Sequence, residues 1–278
     1  MEFSILSLFT GQPDAWPGLA RALGGHVSAW YALSLVLVWG ATAGGWLLTR
    51  HAALPSPGGL RRERLQAALA AGLVLLAGQT FAGIADQVQG AGGLAAFDQI
   101  LTAALAAEAS TATLTRFALL TRLGDTATIS TACIALAALL WWRGQRGLAL
   151  VWVAALAGNS LLNVSLKAVF ERARPLHEHG VAVAQGWSFP SGHASGSVVL
   201  WGMLGYLALR LLPARWHLPA LLVAAGMAFS VGFSRIVLQV HYFSDVLAGF
   251  CSGMAWLTLC ILVAEALRRR AVRLTQPS

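Results

Sequence analysis

Long apolar runs separated by short polar connections fill most of the chain. Seven of them, Val27 to Thr49, Leu65 to Ala85, Thr126 to Trp142, Gly147 to Leu166, His193 to Leu212, Trp216 to Ser234 and Val246 to Ala264, reach or approach the roughly 17 to 25 residues that a membrane-spanning helix needs. Their Leu, Ala and Val content, with frequent Gly, suits helices packed closely through small residues. The stretch from Asp86 to Asp125 differs. There Phe97, Ile100, Leu101, Ala104 and Leu105, and then Leu114, Phe117 and Leu120, recur at helical spacing among polar residues. This pattern predicts one or two amphipathic helices on the outer membrane face. The predicted fold class is therefore all-α, a polytopic membrane helical bundle of about seven (six to seven) transmembrane helices plus amphipathic surface helices.

The connections set the orientation, because short cytoplasmic loops collect Lys and Arg. Arg50, Arg61, Arg62 and Arg64 lie in the first connection, which Pro55, Pro57, Gly58 and Gly59 make turn-rich. Arg143 and Arg146 lie in the third, and Arg210 and Arg215 in the fifth. With seven spans these share one side with the tail that carries Arg268, Arg269, Arg270 and Arg273. The tail is thus expected in the cytoplasm and the N-terminus outside. Met1-Glu2-Phe3 lacks a positively charged n-region and the first long run begins only near Val27, so no cleavable signal peptide is expected and the first 26 residues read as a short outer-surface segment.

Composition narrows the class. Of 278 residues, 57% are hydrophobic and 11% charged, against about 25% charged in an average soluble domain, which excludes an ordinary soluble enzyme and a disordered chain. A net charge of +8 would raise nucleic acid as a partner of a soluble protein. Here positive-inside topology and anionic headgroups explain most of the arginines, and no nucleic-acid partner is expected. Cys133, Cys251 and Cys260 are odd in number and sit inside apolar runs, which fits small core residues rather than disulfides or a zinc site.

One outer connection breaks the charge pattern: between the fourth and fifth runs lie Lys167, Glu171, Arg172, Arg174, His177, Glu178 and His179. Lys167 and Arg174 are seven apart, two helical turns, so both cations can aim at one anion; snorkelling side chains at a helix end are the plainer alternative. Pro190-Ser191-Gly192-His193 opens the next run, and a helix start of this kind leaves backbone N–H groups free to cradle an oxyanion. A plain N-terminus with an interfacial histidine would look the same. Ser234-Arg235 is followed by His241 and, four residues on, by Asp245, a spacing that puts imidazole and carboxylate on one face of the helix beginning there. The carboxylate would fix the tautomer that a nucleophilic or basic histidine requires, although a surface His–Asp pair has the same spacing. Topology puts all three clusters on the same membrane face. So many cations with few carboxylates call for a bound anion, and phosphate suits the planar fork of Arg and the point charge of Lys.

These residues resemble the three-part signature of the type 2 phosphatidic acid phosphatase family, K-x-x-x-x-x-x-R-P, P-S-G-H and S-R-x-x-x-x-x-H-x-x-x-D. Lys167, Arg174 and Pro175, then Pro190 to His193, then Ser234, Arg235, His241 and Asp245 fill every fixed position. The resemblance covers roughly Leu65 to Ala264. It implies residues 1–64 as an N-terminal segment with an extra span and a cytoplasmic loop, 65–267 as a membrane phosphatase domain, and 268–278 as a basic tail. It further implies removal of phosphate through a phosphohistidine without metal or other cofactor. His241 would be the nucleophile, Asp245 its orienting carboxylate and His193 the acid for the leaving group. Lys167, Arg174 and Arg235, with Ser191 and the Gly192 backbone, would hold the phosphoryl oxygens. Arg172 is either a further phosphate contact or a surface charge, while His177 and His179 read as solvated loop residues.

The expected function is a lipid phosphatase of the cytoplasmic membrane, with membrane and phosphorylated lipid as partners and the site facing outward. Undecaprenyl diphosphate, phosphatidylglycerophosphate and phosphatidate are candidate substrates, with a lean to the polyprenyl diphosphate because that carrier is released outside. A lipid phosphotransferase would use the same phosphohistidine. An anion transporter would place its charges near the bilayer midplane rather than at helix ends. Haloperoxidases share the signature but are soluble. A zinc or magnesium site at His193, His241 and Asp245 would be repelled by Lys167, Arg174 and Arg235.

Overall fold

A computed structural model describes residues 16–51, 59–90, 92–176 and 184–275. Among them every regular element is helical: α1 (Trp16–Gly25), α2 (Val27–His51), α3 (Gly59–Gln89), α4 (Gly93–Glu108), α5 (Thr111–Thr121), α6 (Thr126–Trp142), α7 (Arg146–Phe170), α8 (Gly192–Leu211), α9 (His217–Val237) and α10 (Phe243–Thr275). Seven stretches are long and apolar enough to cross a membrane: Val27–Arg50, Arg64–Gln89, Thr111–Trp142, Arg146–Phe170, Gly192–Leu211, Ala214–Val237 and Phe243–Arg270. Each corresponds to one apolar run of the sequence, and α6 has the run's own bounds. The protein is a polytopic membrane helical bundle.

Three segments differ from expectation. Asp86 to Asp125 does form two further helices, but neither simply lies on lipid. The stripe Leu94, Phe97, Leu101 and Leu105 of α4 is buried against protein, and α4 packs on α1, α3 and α10. α5 and a short 3-10 turn, Arg122–Gly124, lead directly into α6 and lengthen the third span. At the other end, α10 runs unbroken to Thr275, so the basic segment from 268 continues a helix and does not form a separate unit up to that point. Within the first 26 residues, α1 is a brace that buries one face, Trp16, Ala20 and Gly24: Trp16 meets the Phe97 ring edge-on at 6.2 Å.

In lipid, apolar side chains gain little by leaving one hydrocarbon surface for another, so helix association depends on close packing. α10 presents Gly249 and Gly253, one turn apart, to α8. A Cβ on Gly249 would lie 2.6 Å from the Ser191 carbonyl oxygen, and one on Gly253 would lie 2.8 Å from that of Ser195. Only hydrogen fits at either place. The backbones of α8 and α10 thereby meet, and Ser191 N–H donates to the Asp245 carbonyl at 2.9 Å, joining the two helix starts at one end of the bundle. α2 stands beside α9, tied by Tyr31 Oη to Ser230 Oγ at 2.7 Å and by Trp39 Nε1–H to the Leu222 carbonyl at 2.9 Å.

Candidate active site

The ends of α7, α8, α9 and α10 supply the charged residues singled out above, but local geometry brings them together by other routes than simple helical spacing. α7 stops at Phe170, where Glu171 adopts a left-handed φ of 43° and its N–H closes on the Lys167 carbonyl. Arg174 therefore lies in an irregular loop, not two turns further along a helix. It is folded back by bonds from its guanidinium to the carbonyls of Gln185, Gly186, Trp187 and Val240. Lys167 donates to the Trp187 carbonyl, so both cations are held by the same returning strand of loop. His177 and His179 fall outside the described residues.

α8 begins two residues later than the P-S-G-H motif suggested, at Gly192 instead of Pro190. Pro190 follows a cis peptide bond outside the helix, Ser191 is the N-cap, and Gly192 is the first helical residue. The Ser191 hydroxyl is fully buried and accepts from Ala194 N–H, so it caps the helix rather than facing a ligand. His241 likewise precedes α10 instead of riding on it. It meets Asp245 because the turn after α9 folds over the first turn of α10, with Nδ1 3.4 Å from Asp245 Oδ2.

Lys167, Arg174, Gly192, His193, Arg235 and His241 all line one cavity of about 490 Å³. Ser191 and Asp245 lie behind its wall, fully buried. Arg235 is 4% exposed and donates from Nη1 to Thr121 Oγ1 at 2.9 Å, while its buried Nε has no hydrogen-bond partner among the described residues. A buried guanidinium donor left unmade is costly unless an anion takes it. Away from the cations the cavity continues between α6 and α7 along Ile129, Ser130, Leu156, Ser160 and Val164, and Val164 is exposed on the flank of the bundle.

The two histidines are held differently. Burial pulls the His241 imidazole down to about 3, more than Asp245 can offset, so it is neutral at physiological pH. With Nδ1 turned to Asp245, Nε2 is the nitrogen facing the cavity, 3.1 Å from Arg174 Nη1. His193 has a carboxylate of its own: its Nε2 lies 3.0 Å from Asp125 Oδ1, at the start of α6.

Several residues that complete this arrangement carried no motif. Ser188 donates to Asp245 and stands 3.3 Å from His241 Nδ1, two residues ahead of P-S-G-H. Asn163 Nδ2 donates to the Pro190 carbonyl and to Ser195 Oγ, at 3.4 Å each, and steadies the α8 start. Arg172 is neither a phosphate contact nor a surface charge. It lies between Asp245 and Asp98 of α4, and both carboxylates are fully buried. Asp98 did have a signal, since it falls four residues after Leu94 and three before Leu101, on the apolar stripe.

Residues 146–269, the segment that carries the signature, match the model of the PAP2 superfamily. Phosphatidylglycerophosphatase B of Bacillus subtilis (strain 168) is 34% identical over 103 residues, covering 34% of this chain and 48% of the relative. The chain thus aligns with about half the length of that curated relative. The fold resembles that of a transmembrane PAP2 type phosphatidylglycerolphosphate phosphatase from Bacillus subtilis, with a TM-score of 0.63 and 24% identity over 71% of this chain and 96% of the other.

Proposed function

We propose that the protein is a membrane lipid phosphatase that removes a terminal phosphate from a phosphomonoester or diphosphate headgroup by way of a phosphohistidine on His241. The observation that carries this reading is the pairing of three cations with two histidines around one cavity, with the Arg235 Nε–H unpartnered among the described residues. Phosphoryl transfer asks a protein chiefly for positioning and for charge on the equatorial oxygens, and Lys167, Arg174 and Arg235 supply both. His241 Nε2 attacks phosphorus, the bond from phosphorus to the ester or anhydride oxygen breaks, and His193 gives that oxygen its proton. Water then attacks phosphorus as His193 takes its proton, the N–P bond breaks to return the electron pair to His241 Nε2, and inorganic phosphate leaves. Asp245 holds the Nδ1–H tautomer throughout.

The slot between α6 and α7 suits a substrate whose headgroup enters the cationic end while its chains stay in lipid. Phosphatidylglycerophosphate is the first substrate to test, because the names of both similar proteins point to it; phosphatidate and undecaprenyl diphosphate present the same terminal chemistry. The site is assigned to the outer face of the cytoplasmic membrane. The test is release of phosphate by purified protein in detergent from these three lipids. Release that persists in EDTA and is inhibited by vanadate, a mimic of the five-coordinate transition state, is expected. Activity that EDTA abolishes and Mg²⁺ or Zn²⁺ restores would overturn the metal-independent route, and labelled phosphate recovered on a second lipid instead of in water would make the protein a phosphotransferase.

A further inference from the structure

We propose that Asp98 and Arg172 are a positioning pair that fixes the Asp245 carboxylate behind His241, so that α4, which lies outside the family-matched segment, helps to build the nucleophile. The inference rests on the reading of His241 as the nucleophile.

Asp245 has no access to water and spends each oxygen on defined donors. Its Oδ2 accepts from Ser188 Oγ, from Tyr242 N–H at 2.9 Å and from His241 Nδ1 at 3.4 Å, while Oδ1 accepts from Arg172 Nη1 at 2.6 Å. Among the described residues Arg172 is the cation in direct contact with this carboxylate. Lys167, Arg174 and Arg235 face the cavity instead. Arg172 is in turn fixed from several directions: Nη2 donates to Asp98 Oδ2 at 2.9 Å, Nη1 also donates to Ser244 Oγ at 2.7 Å, and the guanidinium lies 4.3 Å from the centre of the Tyr242 ring. Both terminal nitrogens are therefore committed, which removes Arg172 from the set of phosphate ligands.

Asp98 does more than balance the charge. It accepts from Ser244 N–H at 3.0 Å and from the Ser244 hydroxyl, so it fixes the backbone immediately before Asp245 as well as the guanidinium in front of it. Phe97 beside it meets Phe243 edge-on at 5.8 Å and seats α4 on the first turn of α10. The path from α4 to the attacking nitrogen is thus Asp98, Arg172, Asp245, His241. A planar fork is needed at its second step, because one guanidinium reaches two carboxylates at once and an ammonium presents a single point charge.

The experiment uses the full-length protein in detergent with dioctanoyl phosphatidate as substrate, and kcat is expressed per vanadate-binding site so that misfolded protein is not counted. Asp98→Asn and Arg172→Gln are each expected to lower kcat about 10- to 100-fold, by analogy with the loss of outer partners of metal-bound histidines. KM should stay within about twofold, because the phosphate-holding cations are untouched. The double variant should lose no more than the worse single one, the mark of residues acting through one chain, and Arg172→Lys should not restore the rate. A brace without a positioning role would change thermal stability and leave kcat per site alone. That result, or additive losses in the double variant, overturns the inference. Should Arg172→Gln not accumulate in the membrane, Asp98→Asn, nearly isosteric, decides by the same split of kcat and KM. A wild-type protein that releases no phosphate from any lipid removes the phosphatase reading and this inference together, whereas an active wild type with a silent Asp98→Asn removes the inference alone.

Discussion

Burial sets the protonation state of His241, and this has a cost that pH can reveal. Its folded value, about 3, lies below the ordinary 6.5, so between these limits the unfolded chain binds a proton that the folded one refuses. The stability His241 contributes is fully present above about pH 6.5 and is lost toward pH 3, at about 1.4 kcal/mol per pH unit. Asp98 runs the other way: burial raises it from 3.8 to about 6 despite Arg172, so its contribution is present below about pH 4 and lost as pH rises through about 6. Between about pH 4 and 6 the two slopes oppose each other. Asp98→Asn removes one of them, and its thermal midpoint in detergent is expected to fall more steeply than the wild-type midpoint on acidification from pH 6 to 4; equal slopes would contradict the assignment. For catalysis, His241→Ala should cut phosphate release by more than about a thousandfold while the protein still inserts, because the covalent step needs an imidazole and the bundle does not. A variant that kept a tenth of the wild-type rate would end the phosphohistidine reading.

At the scale of elements, α8 and α10 must approach to backbone contact for His193 and His241 to share a cavity, and Gly249 and Gly253 allow it. A Cβ at Gly253 would meet the Ser195 carbonyl oxygen at 2.8 Å and its Cα at 3.0 Å, neither of which can swing aside as a side-chain tip would. Gly253→Val is expected to destabilise the protein by about 1 to 3 kcal/mol and to lower activity with it, read as a reduced thermal midpoint in detergent and a loss of phosphate release. An unchanged midpoint would mean the helices do not pack there. The spans themselves were legible in the sequence, since apolar length alone marks them and each run became a helix. The turns were less so. Nothing in K-A-V-F-E-R-A-R-P says that Glu171 leaves the helix in a left-handed conformation, yet that departure sends Arg174 back toward Val240 and leaves Arg172 for Asp245. The residues that share the cavity, Lys167, Arg174, His193, Arg235 and His241, stand in the sequence motifs; the partners Asp98, Asp125 and Ser188 carry no motif, because their roles depend on contacts between distant segments. Asp98 sits in register with the stripe from Leu94 to Leu105, but that position alone does not name Arg172 and Ser244 as its partners.

Over the whole molecule, alternation of the spans places the starts of α8 and α10 and the ends of α7 and α9 at one end of the bundle. Arg50, Arg64, Arg143, Arg146, Arg210, Arg215 and Arg268 to Arg270 lie at the other. The site end is itself cationic and has the exposed Arg122, but Lys167, Arg174 and Arg235 turn into the cavity and Arg172 into the protein. The opposite end carries its arginines largely on exposed positions, where the positive-inside rule acts. That difference argues for a cytoplasmic C-terminus and an outward site. Single cysteines test it in a background in which Cys133, Cys251 and Cys260 are replaced. Leu176 is 94% exposed on the loop after α7, and Gln145 is exposed between α6 and α7. Leu176→Cys should react with a membrane-impermeant thiol reagent in intact cells or spheroplasts, and Gln145→Cys only after lysis. The reverse pattern would turn the cavity toward the cytoplasm, withdraw the case for a carrier lipid released outside, and leave inner-leaflet phosphatidate or phosphatidylglycerophosphate as the substrates the cationic cavity would meet.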